Sequence, residues 1–220
     1  MIRIKSIILI GTSHISPHSI KNVRVVIRRI KPRIVALELD IQRFNSLLYG
    51  KKKILAIKEL GLRGALINAI GAYVEKKLAE IVHTHPGDEM KEAIKTAKEV
   101  KADIALIDQN IIITLKKLAE RLTFKEKITL VLDIVRSLFF KQKIRFNLAK
   151  VPSKSFIKKL TTEVKKSYPT IYQVLIKERD DYMAKQLFLL AQKHPTSDIV
   201  AVVGIGHEEG ILKKLKKMED

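Results

Sequence analysis

Apolar residues along this chain fall into two rhythms. Ile7-Ile8-Leu9-Ile10, Ile34-Val35-Ala36-Leu37, Ile104-Ala105-Leu106-Ile107 and Ile199-Val200-Ala201-Val202-Val203 are short unbroken runs, rich in β-branched residues. Such runs mark strands covered on both faces. Between them apolar residues recur at helical spacing. Ile20, Val23, Val26, Ile27 and Ile30 follow the first run, and Phe44, Leu47 and Leu48 follow the second as far as Gly50. Further helices are predicted over 54–81, 90–100, 113–122, 125–140, 153–166 and 170–193, with a short terminal one from Gly210. Strand, helix and strand in quick succession imply parallel pairing with a right-handed crossover. The expected fold class is α/β: a small, mostly parallel sheet of about four strands wrapped by helices. One domain is expected over residues 1–220, with a helical insertion over 112–193 before the last strand.

The first and last runs end alike, in Gly11-Thr12-Ser13-His14 and Gly204-Ile205-Gly206-His207. Gly11 is expected to let the backbone turn, leaving His14 on the following loop. Ligands of open parallel sheets bind beyond the carboxyl ends of the strands. All four runs end there in a side chain with chemistry: His14, Glu38 with Asp40, Asp108 and His207. Two imidazoles and a carboxylate suit a divalent zinc, manganese or cobalt ion, and a second carboxylate could serve as base for a bound water. Glu89, after Pro86-Gly87, is a fifth candidate, and Arg179 could hold an anion or orient a carboxylate. Plainer roles stay open: a Glu38–Arg43 ion pair, helix caps at Asp40 and Asp108, a helix-dipole partner in Glu89, and a surface charge cluster around Arg179.

Composition narrows the classes. The chain has no Cys, which excludes disulfides, thiolate metal sites and a Cys nucleophile, and fits a reducing compartment. No apolar stretch suits a signal peptide or a bilayer span, so a soluble, cytoplasmic protein is expected. The formal charge of +20 is dispersed over many segments, among them 51–53, 141–145 and 213–217. With few aromatics and no nucleic-acid-binding signature, it argues for a Lys-rich solvated surface and against a nucleic-acid partner.

Six motifs then stand in a telling order: Gly11-Thr12-Ser13-His14; Glu38-Leu39-Asp40 with Arg43; Gly87-Asp88-Glu89-Met90; Leu106-Ile107-Asp108; Glu178-Arg179-Asp180 with Tyr182-Met183-Ala184; and Val203-Gly204-Ile205-Gly206-His207 with Gly210-Ile211. Together they resemble the TraB family, which includes bacterial pheromone-shutdown proteins and archaeal members. That family is related to the Tiki proteases and to the erythromycin esterase and ChaN-like group. The resemblance implies a metal-dependent, peptidase-like hydrolase. It points to His14, Glu89 and His207 as ligands of a manganese, cobalt or zinc ion, and to Glu38 as ligand or base. Arg43, Asp108 and Arg179 are implied as positioning groups of the catalytic site. The implied partner is a peptide, either cleaved or, in the alternative, captured intact; the sequence leaves self-association open. There are two departures. The third strand of many archaeal relatives continues Asp-Arg, where this chain has Gln109-Asn110, so one positioning guanidinium is missing. Many relatives also carry a carboxyl-terminal membrane region, whereas this sequence stops at Asp220, and no membrane role is expected.

Overall fold

The computed structural model of the chain describes residues 1–12, 17–50, 87–139 and 154–219. His14, His83, His85, the predicted helix over 54–81 and the basic stretch 141–152 lie outside the described residues. The four predicted strands are all present: β2 (Ile7–Thr12), β3 (Ile34–Leu37), β4 (Asp103–Leu106) and β5 (Ile199–Gly204). A fifth, β1 (Ile2–Ile4), adds an antiparallel edge, and the order is β1-β2-β5-β3-β4. The other pairings are parallel. Ile7 lies opposite Ile199 and Thr12 opposite Gly204, while Leu37 pairs with both Val202 and Leu106.

The unbroken apolar runs are explained by two covered faces. On one face Ile8, Ile10, Val35, Leu37, Val200 and Val202 pack against α1 (Pro17–Ile30) and α3 (Asp88–Glu99), through Val23, Ile27, Met90, Ala93 and Ile94. On the other, Leu9, Ile34, Ala36, Ala201 and Val203 pack against α8 (Glu178–Lys193) and α9 (Ile205–Glu219), through Met183, Ala184, Leu187, Ile211 and Leu215. The short α2 (Ile41–Tyr49) follows β3, with Asp40 as its N-cap and Gly50 as a left-handed C-cap at φ 68°.

Chain direction decides which helix covers which face. The steps β2 to β3 and β3 to β4 cross the sheet one way, so right-handed crossovers set α1 and α3 on a common face. The return from β4 to β5 runs the other way and places α8 opposite. It passes through α4 (Ile111–Arg121), α5 (Phe124–Phe139), α6 (Lys154–Ser167), α7 (Pro169–Tyr172) and a π-helical turn, Gln173–Lys177. Neighbouring strands β2 and β5 therefore send their connections to opposite faces, which opens a crevice at their carboxyl ends.

Two local expectations are corrected. The backbone does not turn at Gly11, which is inside β2. Its missing side chain makes room for another residue, because a Cβ there would lie 3.0 Å from the Glu208 carboxylate. The last helix begins at Ile205 and runs for 15 residues, so His207 sits in its first turn and not on a loop. Gly206 and Gly210 weaken the helical signal of the segment, while the stripe of Ile211 and Leu215 against α8 holds it in place.

Candidate active site

Glu38, Asp108 and His207 converge where the crevice opens, and Arg179 reaches them from α8. Glu38 follows β3 directly, Asp108 stands just past β4, and His207 is three residues beyond β5. Arg179 and Asp180 follow the π-helical turn, a wide turn often found at functional positions. His14 is two residues past the end of β2, whose Thr12 pairs with Gly204, and is itself outside the described residues.

Every N–H of Arg179 has a partner. Nε donates to Asp108 Oδ1 at 3.1 Å, and Nη2 donates to Asp108 Oδ2 at 2.6 Å and to Glu38 Oε1. Nη1 donates to the Leu175 carbonyl at 3.1 Å and lies 3.2 Å from His207 Nε2. A guanidinium only donates, so that last contact is a hydrogen bond when Nε2 carries no proton. The ring proton is then on Nδ1, facing Asp180 Oδ1 at 2.6 Å. Glu38 Oε2 accepts the Gly204 N–H at 2.6 Å, and Oε1 lies 3.4 Å from His207 Nε2. Arg43 donates through Nε to Asp40 Oδ2 at 2.6 Å and through Nη2 to Asp108 Oδ2. Asp40 at the same time accepts the Gln42 and Arg43 backbone N–H groups.

Burial and charge oppose each other here. Burial pushes the Glu38 carboxyl up, but His207 in its protonated form, Arg179 and the Gly204 N–H outweigh it and hold the group below its ordinary value. Asp108 is likewise raised by burial and lowered further by Arg179 and Arg43, ending below. The paired carboxylates keep Arg179 protonated in spite of its burial. Asp180 is the exception: burial raises it, and His207 and Arg179 offset only part of the rise.

The plainer roles resolve individually. Glu38 pairs with Arg179, not Arg43, and Asp40 both caps α2 and holds Arg43. Asp108 caps no helix, since Asn110 is the N-cap of α4. Glu89 is in the first turn of α3, where the helix dipole favours a carboxylate, and is 1 % exposed. Gln109 donates to Thr114 Oγ1 at 2.9 Å, and Asp108 is already held by two guanidiniums without a third at 109.

Asp180 is the member of this cluster that the sequence did not single out. It was visible only as the neighbour of Arg179; its signal is Gly210, where a Cβ would lie 1.9 Å from Asp180 Oδ2. A glycine on α9 is what lets Asp180 approach His207.

Residues 3–219 match the sequence model of the TraB/PrgY/gumN family. The chain belongs to that family. It is 40 % identical to an uncharacterised protein of Methanocaldococcus jannaschii, over 97 % of this chain and 54 % of that protein. It is 26 % identical to the TraB domain-containing proteins of Mus musculus and Homo sapiens, over 93 % of this chain and 61 % of each of theirs. The chain thus spans roughly half to three-fifths of the length of the curated relatives it matches. Among the described residues of this TraB-family chain, no helix is long and apolar enough to cross a membrane.

The family resemblance implies a divalent ion at this site. Among the described residues no three His, Asp or Glu side chains are grouped as metal ligands. The space between Glu38, Asp108 and His207 is filled by a cation already, the Arg179 guanidinium. His207 does carry the outer carboxylate partner that orients metal-ligating imidazoles. The described residues do not by themselves fit a metal.

Proposed function

We propose that this TraB-family chain is a hydrolase, acting on a peptide bond at the crevice beyond β2, β5 and β3. The observation that carries this reading is the line from Asp180 through the His207 ring to the Nε2 edge, 2.6 Å at its inner end. Asp180 holds the Nδ1–H, so the Nε2 lone pair, which accepts from Arg179 Nη1 at rest, can take a proton from an attacking water once a bound substrate draws that contact apart. Arg179, with all its donors engaged inside the protein, is a positioning residue that sets Glu38 and Asp108 around the ring. Arg43 has spare capacity: Nη1 has no partner among the described residues, and its side chain is 27 % exposed. It is the guanidinium available to a substrate oxygen as negative charge develops there. The choice of a peptide rests on the family resemblance. A divalent ion enters this reading only through His14, joined to His207 or Glu89.

The test is turnover of a peptide library by purified protein, stripped with chelator and then supplied with manganese, cobalt or zinc, alongside elemental analysis. Cleavage by the wild type, a fall of about 100-fold or more in His207→Ala, and a smaller fall in Arg43→Ala are expected. Turnover that survives chelation excludes the ion; turnover restored by metal and lost in His14→Ala requires it. No cleavage under any condition overturns the hydrolase reading. Binding of uncleaved peptide that is lost in His207→Ala would then make the protein a capturing one.

A further inference from the structure

Behind the catalytic cluster, a cleft of about 770 Å³ opens between α6, the α7–π turn and α9. Its size is that of a ligand site. It meets the cluster at Asp180, which holds Nδ1 of His207, and at Gly206, while Glu38, Asp108 and Arg179 are not among its lining residues.

Five lysines line this cleft, and they are not equivalent. Lys213 is paired with Glu209 at 2.6 Å, and Lys214 with Asp181 at 2.7 Å. Lys158, Lys165 and Lys177 have no carboxylate partner among the described residues. Lys165 instead stands 5.6 Å from the centre of the Tyr172 ring. Between these cations the wall is apolar, with Pro169, Tyr172, Ile176 and Leu212. Lysines without a carboxylate partner among the described residues are common on this chain of charge +20, as Lys21, Lys95 and Lys98 on exposed helix positions show. Few meet an acid as Lys117 meets Glu178 at 2.7 Å. What is particular to Lys158, Lys165 and Lys177 is that their three ammonium groups line one partly apolar cleft.

We propose that this cleft binds the acidic part of a peptide, its carboxylates on Lys158, Lys165 and Lys177 and an apolar side chain against Tyr172 and Leu212. A nucleic acid suits it less well, because the apolar wall of Pro169, Tyr172, Ile176 and Leu212 between the cations offers nothing to a continuous row of phosphates. The proposal deepens the hydrolase reading by naming a substrate class, and it rests on that reading only for the claim that the bound peptide is cleaved. Binding is measured separately.

The experiment is fluorescence anisotropy of a labelled peptide alternating Glu and Leu, with a Gln-for-Glu peptide as neutral control, at physiological salt. The wild type is expected to bind the acidic peptide at least tenfold tighter than the neutral one. Lys158→Glu/Lys165→Glu/Lys177→Glu is expected to abolish that preference. Lys21→Glu/Lys95→Glu/Lys98→Glu, which makes the same charge change at exposed positions on α1 and α3, is expected to keep it. The milder Lys158→Gln/Lys165→Gln/Lys177→Gln, checked for an unchanged melting temperature, covers a folding failure of the reversed variant and is expected to lose most of the preference. Equal loss in both reversal triples, no preference in the wild type, or displacement of the peptide by an equimolar single-stranded oligonucleotide would each overturn the proposal. Selective binding without cleavage sinks the hydrolase reading alone; cleavage without selectivity sinks this one alone.

Discussion

Asp108 shows how tightly single side chains are bound into this site. Its carboxylate is held by two guanidiniums, Arg43 and Arg179, and its side chain has no exposed surface. Asp108→Asn leaves both cations short of a partner inside the protein and is expected to destabilise the fold by about 3–5 kcal/mol, read from urea denaturation. The two close glycines separate by what a new methyl group would meet. At Gly210 it lands 1.9 Å from Asp180 Oδ2, on a carboxylate that His207 also needs, whereas at Gly11 it lies 3.0 Å from the flexible end of Glu208. Gly210→Ala is expected to cost about 1–3 kcal/mol and to lower kcat sharply, with Gly11→Ala milder in both respects. The side chains at strand ends were legible in the sequence, because a strand that stops in a charged residue announces its position. Asp180 was not, because its partner lies on another helix, 27 residues away along the chain.

Among the elements, the paired helices α8 and α9 carry the site, and the core under them carries the helices. Leu187 is fully buried beneath α8. Leu187→Ala is expected to cost about 2–5 kcal/mol. Ile128→Ala on α5, where the side chain is 45 % exposed, should change stability by no more than about 0.5 kcal/mol. Asp40→Ala removes both a cap and a hold on Arg43; a loss of at least about 1 kcal/mol is expected, with a weaker effect of the site on peptide turnover than His207→Ala. The four parallel strands and most of the described helix limits were readable from periodicity, whereas the antiparallel edge strand β1 was not. The early start of α9 was not, since two glycines in its first turns dilute the helical pattern while contacts with α8 stabilise it.

Across the whole molecule, the carboxylates give stability a definite dependence on pH. Glu38, Asp108, Glu92, Glu126 and Glu178 are all held below their ordinary values in the fold. Over the acid range the unfolded chain therefore binds more protons than the native one, and stability is lost as pH falls through the lowered native values. Asp180, raised by burial, contributes with the opposite sign. The wild type is expected to lose stability steadily below about pH 4, and Asp180→Asn to lack the offsetting gain that Asp180 supplies as pH falls from its raised native value towards about 4, as measured by urea midpoints across the acid range.

What a chain can state about itself is local. Runs of Ile, Val and Ala announced strands, their spacing announced parallel pairing, and the side chains at their ends announced where chemistry would gather, because each depends only on neighbours along the backbone. The order of the strands, with β5 slipped between β2 and β3, was settled by packing across the whole sheet. So was the placing of Arg179 as the cation at the centre of three acidic and basic partners. Those outcomes depend on residues distant in sequence sharing a low-dielectric interior, where an unpaired charge is costly and every donor must find its acceptor.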